Sequence, residues 1–167
     1  SSTPVSNASA TDPALLEVLK TGAGGGVELV ISNPVAFEGG EVVVLGVGTV
    51  DGGGLRTPLM TMRGNVDLKS DAVVADGWGN KINIQGKVSG PGKLSKTGRG
   101  TVILSGDNDF TGGFELSQGV VLVASNHAFG SGVLTLNRIV SGYEFLLKNP
   151  TSGPIEIPNP LSLHKRI

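Results

Sequence analysis

The stretch Gly92–Asn137, GKLSKTGRGTVILSGDNDFTGGFELSQGVVLVASNHAFGSGVLTLN, decides the fold. Short apolar runs alternate within it: Leu94-Ser95-Lys96, Val102-Ile103-Leu104, Phe114-Glu115-Leu116, Val120-Val121-Leu122-Val123 and Val133-Leu134-Thr135-Leu136. Glycine-rich corners, such as Gly98-Arg99-Gly100 and Gly130-Ser131-Gly132, separate the runs. Strands this short cannot build a core as isolated hairpins, so neighbours must stack into a continuous one.

Outside this stretch the same kind of strand recurs. Val66-Asp67-Leu68-Lys69-Ser70-Asp71-Ala72, Phe114-Glu115-Leu116-Ser117-Gln118-Gly119-Val120 and Ile155-Glu156-Ile157-Pro158-Asn159-Pro160-Leu161 share a pattern. An apolar-acidic-apolar strand meets a polar corner, then a turn former, then another apolar strand. Ile31-Ser32-Asn33-Pro34-Val35 keeps only the corner and its apolar flanks. The copies lie roughly 40 residues apart at unequal intervals, which suggests two solenoid turns per copy with loops of variable length. Asp67, Glu115 and Glu156 are expected at outward positions of equivalent strands. Segments 40–50 and 81–86 add alternating strands, and Asp51-Gly52-Gly53-Gly54, Asp76-Gly77 and Gly90-Pro91-Gly92 are turn signals. Six or seven stacked turns at about 4.8 Å each would stand roughly 30 Å tall. Residues 27–163 are therefore expected to form a single all-β domain.

The ends differ in character. Residues 1–10, SSTPVSNASA, are small and polar and read as a flexible arm or linker. Residues 11–22 carry helix signals: Asp12 as N-cap, Pro13 at the first position, Leu15, Leu16 and Leu19 on one face, and Gly22 at the close. A short capping helix over the first rung is expected there, because an open solenoid end exposes unpaired backbone and an apolar interior. At the other end Pro150, Pro154, Pro158 and Pro160 suit a last rung that discourages pairing, and residues 164–167 form a small basic tail. A start at Ser1, with no initiator methionine and no apolar leader, fits a processed form or a piece cut from a longer protein.

Composition narrows the function classes. With 13 basic and 14 acidic residues the net charge is -1, which leaves no electrostatic footprint for nucleic acid. The 27 glycines and the scarcity of aromatics fit a turn-dense β protein. Having no cysteine, the chain has neither disulfides nor thiolate metal ligands. No apolar run reaches the roughly 20 residues of a membrane-spanning helix, so direct membrane insertion is not expected.

Specific residues also carry a family resemblance. Lys96-Thr97-Gly98-x-Gly100-Thr101-Val102-x-Leu104-Ser105-Gly106-x-Asn108-x-Phe110-Thr111-Gly112-Gly113, then Gly119-x-Val121-x-Val123, then Ala128-Phe129-Gly130-Ser131-Gly132-x-Leu134-Thr135-Leu136-Asn137 resembles the passenger-associated transport repeat, also called the autotransporter-associated β-strand repeat. The resemblance covers residues 92–137. It implies a right-handed parallel β-helix in a secreted or surface-displayed bacterial protein, where the repeat is implicated in passenger folding and export. No run of long alternating strands for a membrane barrel follows the repeat, which departs from an autotransporter and points to a fragment or another export route.

No constellation in the chain demands chemistry. Asp107-Asn108-Asp109 holds two carboxylates and an amide, as a calcium loop does, but reads better as a turn. A polysaccharide-cleaving β-helix needs carboxylates converging in one cleft, and Asp51, Asp67, Asp71, Asp76, Asp107 and Asp109 are scattered. His127 and His164 have no evident partner in sequence. The glycines of 22–26 and 52–54 lack the residues that follow a phosphate loop. Trp78, between glycines, is the one candidate for contact with a partner or a sugar, against a plain role in covering a corner. Tyr143 and Phe145 read as packing residues. The expected function is a non-enzymatic structural segment without metal or cofactor, with partners among itself and cell-surface or matrix components. The alternatives are a self-assembling extracellular fibre subunit and a polysaccharide-binding or -cleaving protein.

Overall fold

A strand of four alternating residues offers two side chains to a core, too few to fold alone. Parallel stacking solves this by placing each strand on an equivalent strand one turn earlier. The computed structural model describes residues 28–38, 40–44, 59–76, 80–138, 145–149 and 151–165. Its strands fall into six successive turns, or rungs. The first three rungs hold three strands each: β1 (Glu28–Ile31), β2 (Val35–Phe37) and β3 (Gly40–Val44); β4 (Leu59–Met62), β5 (Val66–Leu68) and β6 (Ala72–Asp76); β7 (Lys81–Ile84), β8 (Val88–Ser89) and β9 (Leu94–Gly98). The last three hold two strands each: β10 (Thr101–Leu104) and β11 (Phe114–Leu116); β12 (Gly119–Val123) and β13 (Leu134–Arg138); β14 (Phe145–Lys148) and β15 (Leu161–Lys165).

Three parallel sheets result. One runs β1-β4-β7-β10-β12-β14, the second β15-β13-β11-β9-β6-β3, and the third, of three strands, β2-β5-β8. The protein is an all-β parallel solenoid. No helix occurs among the described residues, and the helix expected over 11–22 lies outside them, as does the arm over 1–10. Residues His164 and Lys165, expected in a tail, lie in β15.

Register turns the alternation into columns of buried side chains. In the first sheet Met60, Ile82, Val102 and Val121 stack, and beside them Met62, Ile84, Leu104 and Val123. In the second, Leu94, Phe114 and Leu134 stack in the same way. All of these are at most 3% exposed. Burying one such side chain stabilises the fold by about 1.5–3 kcal/mol, so each rung depends on its neighbours for most of its stability.

The structural period is one rung, and this corrects the roughly 40-residue repeat read from the sequence. Val66 pairs with Val35 and Val88 in the third sheet, whereas Phe114 pairs with Leu94 and Leu134 in the second. The apolar-acidic-apolar motif therefore sits on different faces in different rungs. Glu156 lies outside any strand. Alternation alone reports in or out and cannot say which of three faces a strand occupies. Pro154, Pro158 and Pro160 lie in the last rung, between β14 and β15, and β15 itself contains none.

On the outer face of the second sheet a polar ladder joins three rungs. The Lys93 ammonium donates to Glu115 Oε2 at 3.0 Å, and Asn137 Nδ2 donates to Glu115 Oε1 at 2.6 Å. Lys93, helped by Asn137 and Ser117, holds the Glu115 carboxyl below the usual carboxylate range. Because the folded-state pKa is depressed, this contribution is present above the ordinary value of 4.5 and is lost as pH falls through the lowered folded value. In urea unfolding, Glu115→Gln is expected to cost about 0.5 kcal/mol at neutral pH and to show a shallower loss of stability on acidification below about pH 4.5 than the parent chain.

Candidate functional site

Two polar residues, Lys96 and Asn108, lie inside the solenoid. Because Leu94 faces inward, the two-residue period also turns Lys96 inward, in register with Val74 on one side and Leu116 on the other. Lys96 is 1% exposed. A buried ammonium is tolerated only where its N–H groups are bonded. Lys96 Nζ donates to the carbonyl oxygens of Thr97 at 2.5 Å and Gly98 at 2.9 Å on its own corner, and of Gln118 at 3.3 Å on the next. A side chain of one rung thus ties down the corner of the rung above.

Glycines make room for that bond. Gly98 and Gly119 adopt φ of 76° and 91°, the left-handed region that only glycine enters without strain. A Cβ on Gly119 would lie 2.7 Å from Lys96 Nζ and 2.4 Å from the Gly98 oxygen. The run Lys96-Thr97-Gly98 and the distant Gly119 are therefore one structural unit.

A second lock replaces a missing strand. The third sheet stops at β8, and in the following rungs the backbone near Asn108 and Ala128 forms no strand. Asn108, 4% exposed, supplies the missing bonds with its side chain. Its Oδ1 accepts the Val88 N–H at 2.8 Å from the rung below, and its Nδ2 donates to the Ala128 oxygen at 2.7 Å on the rung above. Isolated backbone bonds continue alongside, from Asp109 N to Val88 O and from Ser131 N to Phe110 O. Phe110 and Phe129 fill the widened interior, with the Phe129 ring 4.8 Å from that of Phe114.

Asparagines bridge the rungs along this whole face. Asn65 Oδ1 accepts the Lys87 N–H at 3.2 Å, and Asn126 Oδ1 accepts the Glu156 N–H at 3.1 Å. Asn159 Nδ2 donates to the Gly130 and Gly132 oxygens at 3.0 and 2.8 Å.

The residues singled out from sequence are dispersed over the described surface. Asp107 and Asp109 point to different partners: Asp107 pairs with His127 Nδ1 at 2.5 Å, and Asp109 with Lys87 Nζ at 2.6 Å. Lys87, with Ser89, holds the Asp109 carboxyl below its ordinary value, and the same pairing raises Lys87. Asp67 pairs with Lys69, and Asp71 accepts the Lys93 N–H. His164 Nε2 lies 2.9 Å from Ser162 Oγ. Asp51, Trp78, Tyr143 and the glycines of 22–26 and 52–54 lie outside the described residues. Among the described residues no three His, Cys, Asp or Glu side chains are grouped to hold a metal ion, and no helix is long and apolar enough to cross a membrane.

Sequence reasoning quoted Lys96 and Asn108 as motif residues but did not place them in the core. The signal was available for Lys96: it stands two residues after an inward leucine, and just before Thr97 and Gly98, whose carbonyls are two of its acceptors.

Comparison with known proteins places these locks. The pattern of the passenger-associated transport repeat matches residues 94–123, a span that contains Lys96, Gly98, Asn108 and Gly119. Over 57 residues, 34% of this chain, the sequence is 42% identical to the adhesin BmaC autotransporter of Brucella suis biovar 1 (strain 1330). The match spans 2% of that protein's length. No solved structure matches the chain. Residues 94–123, which match the passenger-associated transport repeat, are built into the third to fifth rungs of a parallel β-solenoid.

Proposed function

We propose that this chain is a non-catalytic stalk segment of a secreted or surface-displayed bacterial protein, and that its repeat locks successive rungs together as the chain folds outside the cell. The observation that carries this reading is the use made of two polar side chains within the repeat. Lys96 and Asn108 both point inward and bond backbone groups of neighbouring rungs. Neither is offered to a ligand.

Export gives this arrangement a purpose. A chain emerging through a membrane presents its rungs one at a time, and each folded rung is the template for the next. Apolar columns alone would tolerate a slipped rung, whereas a buried ammonium or amide is satisfied only in the correct register. Register-specific locks therefore favour a unique fold over a misstacked one. The winding is right-handed in this reading, as parallel strand connections overwhelmingly are. The resemblance of one segment to an autotransporter adhesin supports placement at the cell surface, with partners among surface or matrix components.

Two kinds of measurement test the proposal. In equilibrium unfolding, Lys96→Met is expected to cost about 2 kcal/mol or more, because buried carbonyls lose their donor while the volume stays filled. Asn108→Leu is expected to cost about 2–4 kcal/mol by stranding the Val88 N–H and the Ala128 oxygen. Fused between a secretion signal and a translocator barrel, the parent chain is expected to reach the cell surface in protease-resistant form, and both variants in reduced amount. Equal display of folded parent and destabilised variants would refute the role in export. Cleavage of an anionic polysaccharide by the purified chain, with or without calcium, would refute the non-catalytic assignment.

A further inference from the structure

Charge is sorted by rung in the middle of the solenoid. Residues 81–100, which build the third rung and its closing corner, hold Lys81, Lys87, Lys93, Lys96 and Arg99 and no acidic residue. Residues 101–126, which build the fourth rung and the start of the fifth, hold Asp107, Asp109 and Glu115 and no basic residue. The second rung is mixed, and its Asp67 pairs with Lys69 of the same rung.

All three carboxylates of the fourth rung reach out of it. Asp109 pairs with Lys87 of the third rung at 2.6 Å, and Glu115 pairs with Lys93 of the third rung at 3.0 Å. In the other direction Asp107 meets His127 of the fifth rung at 2.5 Å, and Glu115 Oε1 accepts from Asn137 Nδ2 at 2.6 Å. The charged and titratable groups that face these carboxylates are therefore Lys87 and Lys93 from the rung below and His127 from the rung above. Asp71 of the second rung accepts the Lys93 N–H, and Glu156 of the sixth donates its N–H to Asn126, next to His127. Lys81 lies in the first sheet, Lys96 in the core, and Arg99 in the corner after β9.

We infer that the fourth rung is an acid-sensitive joint: its carboxylates clasp the rungs on either side at neutral pH, and their protonation loosens the solenoid there ahead of the neighbouring rungs. Protonating a carboxylate ends its attraction for the cation and leaves the lysines of the third rung without a counter-charge. Exposed pairs are individually weak, so the effect comes from three of them set on one rung. Lys87, with Ser89, holds the Asp109 carboxyl below its ordinary 3.8, and Lys93, with Asn137 and Ser117, holds the Glu115 carboxyl below its ordinary 4.5. With depressed folded-state values, the clasps are fully present above the ordinary values and are lost as pH falls through the lowered ones, so loosening sets in below about pH 4.5. This goes beyond the stalk reading and fails separately from it, since a stalk segment without such a joint remains a stalk segment.

The test is amide hydrogen exchange on the purified chain at about pH 7 and about pH 3.5, corrected at each pH for the intrinsic chemical rate. The joint is read at the N–H groups of Ser105 and Thr111, which bond the Ile84 and Gly90 oxygens of the third rung. The reference is read at Gln85 and Gly92, which bond the Met62 and Leu68 oxygens of the second rung. Acidification is expected to raise the opening of the first pair about fivefold relative to the second. A triple variant, Asp107→Asn with Asp109→Asn and Glu115→Gln, is expected to show the raised ratio already at neutral pH and no further rise in acid. The parent's own comparison decides without the variant: a ratio that is the same at both pH values, including one left unchanged by unfolding throughout the chain, overturns the inference. So does a folded triple variant whose ratio equals the parent's at neutral pH or still rises in acid.

Discussion

The constraint on which this structure depends is that a rung has no partners of its own: its backbone groups and apolar side chains are satisfied only by the rungs on either side. Where strands run, the parallel ladder and the leucine, isoleucine, valine and methionine columns meet this demand. Where strands stop, at corners and along the third face beyond β8, the ladder fails and unpaired buried N–H and C=O groups would each cost about 1–3 kcal/mol. Lys96 and the asparagines stand at those gaps.

The two locks differ physically. Asn108 is a neutral backbone mimic, an amide whose donor and acceptor take the places of the N–H and C=O that a strand would offer. Lys96 carries its Nζ into the interior, where it donates to three carbonyl oxygens. A polar head group in that position is costly unless its surroundings are complete, which is why Gly119 must leave space where other residues have a side chain. Such a group contributes to the uniqueness of register as well as to stability. An apolar side chain of similar volume would fill the space, leave the corner carbonyls without a donor and accept a slipped neighbour.

The fold class was legible in the sequence because short strands of three to five residues between glycines, as in Leu94–Leu104 and Phe114–Val123, admit almost nothing except stacking. The passenger repeat was legible from its motif, and the match over 94–123 lies inside the stretch quoted for it. The rung period was not legible. Only registers such as Leu94 with Phe114 and Leu134 reveal it, and these depend on which of three faces a strand occupies. Of the candidate site, Asp107-Asn108-Asp109 was noticed for its carboxylates, whereas the central amide does the structural work while the flanking carboxylates pair with His127 and Lys87 at the surface. Inwardness of a polar residue is a tertiary fact. A lysine or asparagine in a sequence reads as exposed until the acceptors around it are known.

Residue-resolved amide hydrogen exchange on the native chain tests the central claim most directly. The account predicts that the slowest amides cluster in the third to fifth rungs, with Val88 N–H, whose acceptor is the Asn108 side chain, protected alongside strand amides such as that of Val120. Rapid exchange at Val88 beside protected strands, or a protection maximum outside residues 80–138, would contradict it.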